Sequence, residues 1–510
     1  MRISENQSLI LGPPGCGKTT KVLSEIDSLL QSGESPDRIA FVSFTKKAIA
    51  EATGRAGEKF GLKPRQLPMF KTVHAMCFAG LGIGKSDVVG KEHYRELGEW
   101  LGYRFEGTWD ESEGVPVGSE KGDTLLFLDN LARVTQRPLK EVWEENYHEC
   151  EWQELERFQE GYQDFKSSKY VMDFTDMLSA YIAMCDSSPA RQVIVDEAQD
   201  LSSLQWSVLK HAYGNVRQTI IAGDDDQSIY KWSGADIRSF LNLEGEKTVL
   251  SKSYRLPRSV HEIANGIVQK IENRFDKPFD PRDSDGEVNF ITSLEEAVVG
   301  KESTLFLVRN TYLARKVQEY MHQLGLPYLN KYGFSSVRSS HIKAIEGVEK
   351  LRKAEMATGA EVKAMYDCMR IGEYLARGFK VKIANIGDND LFSFGELRNN
   401  FGLLDVAPWY ACLQGIGDDL IGYYQRLGAN GYGLKATPNC SISTIHAAKG
   451  GEADHVILLS DMAYRSHQDY IKQPDDERRV AYVAVTRAKE KLSIVMPQGK
   501  LFFDFYGESQ

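Results

Sequence analysis

The chain has little cysteine, and none of it is spaced to bridge or to bind. Cys16, Cys77, Cys150, Cys185, Cys368, Cys412 and Cys440 are scattered through 510 residues without a CxxC pair. This argues against a disulfide framework, a zinc site or an iron–sulfur site. It points to a reduced intracellular, cytoplasmic protein with buried thiols. Proline is sparse, at 16 residues, and no low-complexity tract occurs. Collagen-like and linker-dominated classes are thereby set aside. No apolar run approaches the roughly 18 residues of a membrane span. The N-terminus, MRISENQSLI, lacks the apolar segment of a secretory signal. No membrane partner is expected. A basic excess is missing too: 62 Lys and Arg face 72 Asp and Glu, a net of −10. Such a chain does not coat nucleic acid by bulk positive charge, although a local basic track is compatible with it.

What is present suits a globular protein of about three to four domains. Hydrophobic residues make up 42% and charged residues 26%, which sets wholesale disorder aside. Short apolar runs read as buried strands: QSLIL at 7–11, IAFVSF at 39–44, VIV at 193–195 and IIA at 220–222. They alternate with helical patterns such as KVLSEIDSLL, which implies an α/β fold built on parallel sheets. Ligands of such sheets bind at the carboxyl ends of the strands. Residues 85–170 interrupt this rhythm with an aromatic, charged helical stretch. It carries 11 Lys and Arg against 20 Asp and Glu, a net of −9 out of the chain's −10. Neutralising Glu144, Glu145, Glu149 and Glu151 tests whether that acidic face is merely solvated. STLFLVRN, CSISTIH, HVILLSD and KLSIVM read as strands of a second parallel sheet, itself interrupted by helices at 338–435. Within that second stretch, residues 338–382 hold ten Lys and Arg against six Asp and Glu. This is a solvated helix face or a contact for duplex phosphates.

Gly12-Pro13-Pro14-Gly15-Cys16-Gly17-Lys18-Thr19 matches GxxxxGK(S/T) between a strand and a helix. Glycines let backbone N–H groups face phosphate oxygens, Lys18 adds a charge for the outer phosphates, and Thr19 offers a hydroxyl to Mg²⁺. Thr20 follows in the same turn. In VIVDEAQD, a strand ends in Asp196 and Glu197. Asp196 is placed to hold Mg²⁺ through water, and Glu197 to take a proton from an attacking water. The pair points to nucleoside triphosphate hydrolysis with Mg²⁺. In AGDDDQSIYKWSGA, Gln227 is a neutral amide suited to sensing a terminal phosphate. Tyr230 and Trp232 lie two apart, on one side of a segment read as extended. Stacking a base on such a ring contributes about 1–3 kcal/mol, with core packing as the alternative for Trp232.

These motifs occur in one order with FVSFTKKA (41–48), TVHAMCF (72–78), DFTDML (173–178), LSKSYR (250–255), STIHAAKGGE (443–452) and ERRVAYVAVTRAKEKL (477–492). The set resembles the superfamily 1 DNA helicases of the UvrD/Rep/PcrA group. The resemblance implies two RecA-like P-loop domains, each with a mainly helical insertion. The first motor domain would span 1–84 and 170–244, with 85–169 as an acidic insertion. The second would span 245–337 and 436–510, with 338–435 as its insertion. It further implies Mg-ATP in the cleft between the two, with Arg255 and Arg487 of the second reaching the γ-phosphate. Tyr254 would stack on adenine and Glu452 lie near the ribose. Single-stranded DNA would cross Phe44, Thr45, His74, Tyr230 and Trp232 of the first domain and Thr444 and His446 of the second. Core or structural readings stay open for Phe44, His74 and His446, and a surface ion pair for Arg487.

The implied activity is an ATP-dependent 3′→5′ DNA helicase acting on single strands and junctions, with replication or repair proteins as partners. A single-strand translocase that only displaces proteins, an RNA-directed motor and a non-enzymatic ATP switch are the alternatives. The sequence departs from the family at several points. Only eleven residues precede Gly12, where an adenine-reading glutamine is usual. Ser233 stands where an arginine is typical, and Gly451 and Ala453 flank Glu452 in place of larger apolar residues. Phe502 and Phe503 are the candidates for a strand-separating hairpin, and a nuclease domain after the last motif is not expected.

Overall fold

The computed structural model describes residues 1–106, 108–110, 115–118, 120–146 and 149–508. The chain divides into two compact units. The first comprises residues 1–285, 469–486 and the C-terminal end from 506, and the second comprises 286–468 and 487–505.

The first unit is built on six parallel strands: β1 (Gln7–Leu11), β2 (Ile39–Ser43), β3 (Phe70–Lys71), β4 (Gln192–Asp196), β5 (Gln218–Gly223) and β6 (Glu246–Val249). Their order across the sheet is β3-β2-β4-β5-β1-β6. Alternate side chains of β1, β2, β4 and β5 enter different cores, as a two-fold pleat requires. Ile10, Phe41, Ile194 and Ile220 pack with the helix Lys18–Gln31 on one face. Leu9, Leu11, Val42, Val193, Val195 and Ile221 pack with the helix Ser203–Tyr213 on the other. This double burial explains why the strands read as nearly unbroken apolar runs.

The sheet order has a direct consequence for chemistry. The P-loop leaves the end of β1, and its neighbours are β5 and β6. The carboxyl end of β5 leads into Asp224–Gln227, that of β6 into Tyr254 and Arg255, and that of the next strand, β4, is Asp196. One end of one sheet therefore gathers segments far apart in sequence.

Residues 246–249 pair in parallel with β1, and the first unit continues to Asp285, so Tyr254 and Arg255 belong with the P-loop. β6 is exposed along its length, an edge strand with no apolar run to reveal its partner. The helix Pro474–Val485 also belongs to the first unit and packs on the helix Arg258–Val268.

Helices Lys91–Leu101, Lys121–Val134, Leu139–Glu145 and Trp152–Lys169 form the acidic insertion. It has its own core of Leu97, Leu125, Leu128, Phe158 and Phe165. The second unit holds six further parallel strands: β7 (Glu287–Ile291), β8 (Thr304–Val308), β9 (Tyr328–Leu329), β10 (Cys440–Thr444), β11 (Ala453–Leu459) and β12 (Ala488–Val495). Their order is β9-β10-β8-β11-β12-β7. The helices of 338–435 share one continuous core with this sheet, joining Phe306 and Ile442 to Leu351, Leu397 and Tyr424. Unlike the acidic insertion, this segment is not a separately cored body. Among the described residues no helix is long and apolar enough to cross a membrane. All seven cysteines are free thiols, five of them buried.

Candidate nucleotide site and nucleic-acid interface

The phosphate-binding turn is shaped by glycines at positions that exclude a side chain. Gly15 and Gly17 sit at φ +72° and +82°, in the left-handed region where other residues are strained. A Cβ at Gly12 would lie 2.6 Å from the Leu250 carbonyl, and one at Gly15 2.5 Å from the Arg255 Cβ. The buried Lys18 Nζ donates to the Gly12 and Pro13 carbonyls at 2.7 and 3.1 Å, which holds the ammonium inside the turn. Thr19 follows at the start of the helix, and Thr20 is exposed on its outer side.

Thr19 Oγ1 lies 3.5 Å from Asp196 Oδ2. Burial, then the neighbouring Glu197 charge, pushes the Asp196 carboxyl up to about 7. A buried carboxylate and a hydroxyl with excess negative charge are hard oxygen donors, and this pairing fits Mg²⁺. Glu197 adopts φ +53°, a strained conformation for a residue with a Cβ. Such strain costs on the order of 1–3 kcal/mol and is held by its surroundings. Those surroundings are visible. The Glu197 N–H donates to Asp196 Oδ1 at 3.0 Å, and Gln199 Nε2 donates to Glu197 Oε2 at 2.5 Å. Gln199 Oε1 in turn accepts the Asp224 N–H at 3.0 Å, and Asp224 Oδ2 accepts Gln227 Nε2 at 2.7 Å. A chain of hydrogen bonds thus runs from the candidate base, Glu197, to the candidate phosphate sensor, Gln227.

Tyr254 is 73% exposed, and its backbone N–H donates to the Gly15 carbonyl at 2.8 Å. Ser253 Oγ donates to the Pro14 carbonyl at 2.9 Å and accepts the Arg255 N–H at 3.3 Å. Sequence reasoning passed over Ser253 and Gln199. Both stand inside quoted motifs, LSKSYR and VDEAQD, and short polar residues there were the available signal.

The second unit carries Glu452, exposed just before β11, and Arg487, 1% exposed just before β12. Arg487 Nη1 donates to the Gly451 carbonyl at 3.2 Å, so these two positions are neighbours. An exposed surface ion pair is not the setting of Arg487. Thr444 ends β10 and its Oγ1 accepts the Ala447 N–H, with the half-buried His446 in the following turn.

At the end of β2, the buried Phe44 ring stacks on Tyr230 at 5.6 Å. Thr45 caps the helix Lys46–Phe60 through Ala48 N–H. His74 meets Phe174 edge-on at 5.9 Å, and burial lowers its pKa to about 4, so the ring is neutral at pH 7. Ser43, Phe44, Lys46, Thr72, Val73, His74 and Gln205 line a small open cleft.

The expectation that Tyr230 and Trp232 share one side of an extended segment is corrected. Residues Lys231–Ser233 form a 3₁₀ turn, because the Ser233 and Ala235 N–H groups both reach the Tyr230 carbonyl and Gly234 takes φ +102°. Tyr230 therefore points inward, 8% exposed. Trp232 is 43% exposed and stacks on Phe127 at 6.5 Å with 19° between the planes. Phe127, on the helix Lys121–Val134 of the acidic insertion, was not a sequence candidate. Of the proposed strand-separating pair, Phe503 is 4% exposed and packs on Phe505.

Residues 1–248 match the model of the UvrD/REP helicase N-terminal domain, and residues 429–499 that of the UvrD-like helicase C-terminal domain. The chain is 24% identical to the ATP-dependent DNA helicase PcrA of Staphylococcus epidermidis over 617 residues, covering 100% of this chain and 83% of that one. It is 23% identical to the PcrA of Staphylococcus aureus strain Mu50, covering 99% and 83%. It is 26% identical to YjcD of Bacillus subtilis strain 168, covering 66% of this chain and 49% of YjcD, so the match spans about half of that relative.

Proposed function

Because the chain belongs to the UvrD/REP helicase family, we propose that it hydrolyses ATP to move 3′→5′ along single-stranded DNA and to open duplex at junctions. The observation that carries this reading is the convergence of Lys18, Thr19, Asp196, Glu197, Gln227 and Arg255 on the carboxyl ends of four neighbouring strands.

In the proposed reaction, the P-loop N–H groups and Lys18 bind the phosphates, and Thr19 and Asp196 hold Mg²⁺. Bound there, Mg²⁺ supplies charge neutralisation on the phosphate oxygens. Glu197 orients a water for attack on the γ-phosphorus and receives its proton as ADP leaves. The Gln199 amide fixes the Glu197 carboxylate, and Gln227 registers the terminal phosphate. Arg255 and Arg487 stabilise the charge spread over the transferring phosphoryl group. Tyr254 stacks on the base and Glu452 lies near the ribose. The DNA path uses Trp232 as an exposed stacking ring, with Thr45, His74, Thr444 and His446. Phe44 and Tyr230 support it from below.

The test is unwinding of duplexes carrying a 3′ or a 5′ tail, with ATP. Activity on the 3′-tailed substrate alone is expected. Lys18→Ala and Glu197→Gln are each expected to abolish ATP turnover, and undiminished DNA-stimulated hydrolysis in either refutes the assignment. The burial of Phe503 favours a second reading, a single-strand translocase that strips bound proteins without unwinding. Streptavidin displacement from a biotinylated strand, without unwinding of either tailed duplex, would select it.

A further inference from the structure

Asp224, Asp225 and Asp226 are three consecutive carboxylates with 0% exposure. Burying charge is costly, and apolar residues of similar size usually stabilise a fold as well or better. The arrangement around them is specific. Lys277 Nζ, on a side chain 1% exposed, lies 3.2 Å from Asp224, 2.9 Å from Asp226 and in close contact with Asp225. Its ammonium occupies the point where the three carboxylates converge, so the cation of this cluster is Lys277 itself. Arg274 grips Asp226 with two parallel hydrogen bonds of 2.9 and 2.8 Å, and the Phe275 N–H donates to Asp225 Oδ2 at 2.8 Å. Arg479 donates from Nε to the Asp225 carbonyl and from Nη2 to the Asn273 carbonyl.

The same segment is fastened again a few residues later. The Asp280 carbonyl accepts the Ser253 N–H at 2.8 Å, its N–H donates to the Ser251 carbonyl at 2.9 Å, and the Arg282 N–H donates to the Leu256 carbonyl at 2.8 Å. Residues 273–282 are therefore a strap. One end holds the turn that carries Gln227, and the other holds the segment that carries Arg255.

We infer that this strap sets the relative placement of Gln227 and Arg255 for phosphoryl transfer, with Lys277 and Arg274 as positioning residues. The inference rests on the proposed reading of Gln227 and Arg255 as γ-phosphate groups. Lys277 acts through Asp224, whose Oδ1 faces the ammonium while its Oδ2 holds the Gln227 amide. Neutralising three carboxylates from one point keeps that aspartate in a single orientation. Small misplacements of such groups cost rate more than binding, because they matter most where charge develops in the transition state.

The test uses the full chain with Lys277→Met and Arg274→Gln, measuring DNA-stimulated ATP turnover and the affinity of a fluorescent ADP. The expected result for Lys277→Met is a kcat at least tenfold lower, with KM for ATP and ADP affinity within threefold of wild type. Arg274→Gln, at the less buried end, should show the same split with a smaller kcat loss. If Lys277→Met does not fold by circular dichroism, Arg274→Gln decides alone. An unchanged kcat, or kcat and ADP affinity falling together, overturns the inference while an active wild type leaves the reading of the site intact. A wild-type chain without ATP turnover overturns that reading and the inference with it.

Discussion

Replacing Arg133 with methionine keeps most of the side chain's length and deletes its guanidinium. In the native protein that group lies 2.9 Å from Asp129, 2.7 Å from Asp173 and 3.1 Å from Asp176. Asp129 and Asp173 are buried, and Lys166, 3.0 Å from Asp173, is left facing the carboxylates in the variant. Removing one partner from a buried ion pair destabilises by about 3–5 kcal/mol. For a cooperative unit of this size, each kcal/mol shifts the melting temperature by about 2–4 °C, so a fall of roughly 6–20 °C is expected. The loss should depend on pH. Burial pushes the Asp173 carboxyl up, but Arg133 and then Lys166 hold it well below the ordinary carboxylate range. A depressed carboxylate contributes stability that is present above its unfolded pKa and lost as pH falls through its folded one. The variant lacks much of that contribution, so the gap from wild type is constant between about pH 8 and pH 5 and narrows only as pH falls below about 4. The change should also reach the interface. The helix of Arg133 carries Phe127 beneath Trp232, and Asp173 caps the helix whose Phe174 meets His74. Urea denaturation at several pH values, beside anisotropy of a labelled oligonucleotide, reads both effects. A variant within about 1 kcal/mol of wild type at pH 7, or one whose deficit does not shrink below about pH 4, refutes the reasoning.

Trp232→Ala should weaken single-strand binding by about 1–3 kcal/mol, or roughly five- to 150-fold, in the same anisotropy assay. Phe127→Ala should produce a smaller loss through the unsupported ring, and Tyr230→Ala should act mainly on stability, because Tyr230 is buried on Phe44. Gly15→Ala should sharply reduce ATP affinity in equilibrium titration, since its Cβ meets Arg255 at 2.5 Å and φ is +72°. His74 is held neutral by burial with a pKa near 4. Its depressed folded pKa makes native stability fall as pH drops below the unfolded value. His74→Asn should therefore lose less stability between pH 6.5 and 4, measured by urea melts. A parallel pH response would refute this.

Much of the site was legible because its chemistry is local. The octet around Lys18 and the strand ending in Asp196 and Glu197 declare themselves in a few consecutive residues. Short apolar runs marked β1, β2, β4 and β5 because both faces of each strand are buried. β3 and β9 have two residues each, and β7 lies at a sheet edge, so no run of apolar residues announced them. Tyr230 and Trp232 were read with a strand period, while a positive φ at Gly234 folds the segment into a turn and sends the rings in different directions. Phe127, Arg133 and Lys277 were invisible as site residues because each acts on a partner distant in sequence.

The sequence by itself determined the reacting groups and the order of their motifs, since phosphate binding, metal holding and proton transfer each need a particular residue type at a particular local spacing. The tertiary structure alone decided which of these groups are neighbours. The strand order β4-β5-β1-β6 brings the ends of four separate segments together, and long-range contacts set what supports each one. Strand order follows from the packing of whole helices and strands, which no short stretch of sequence records.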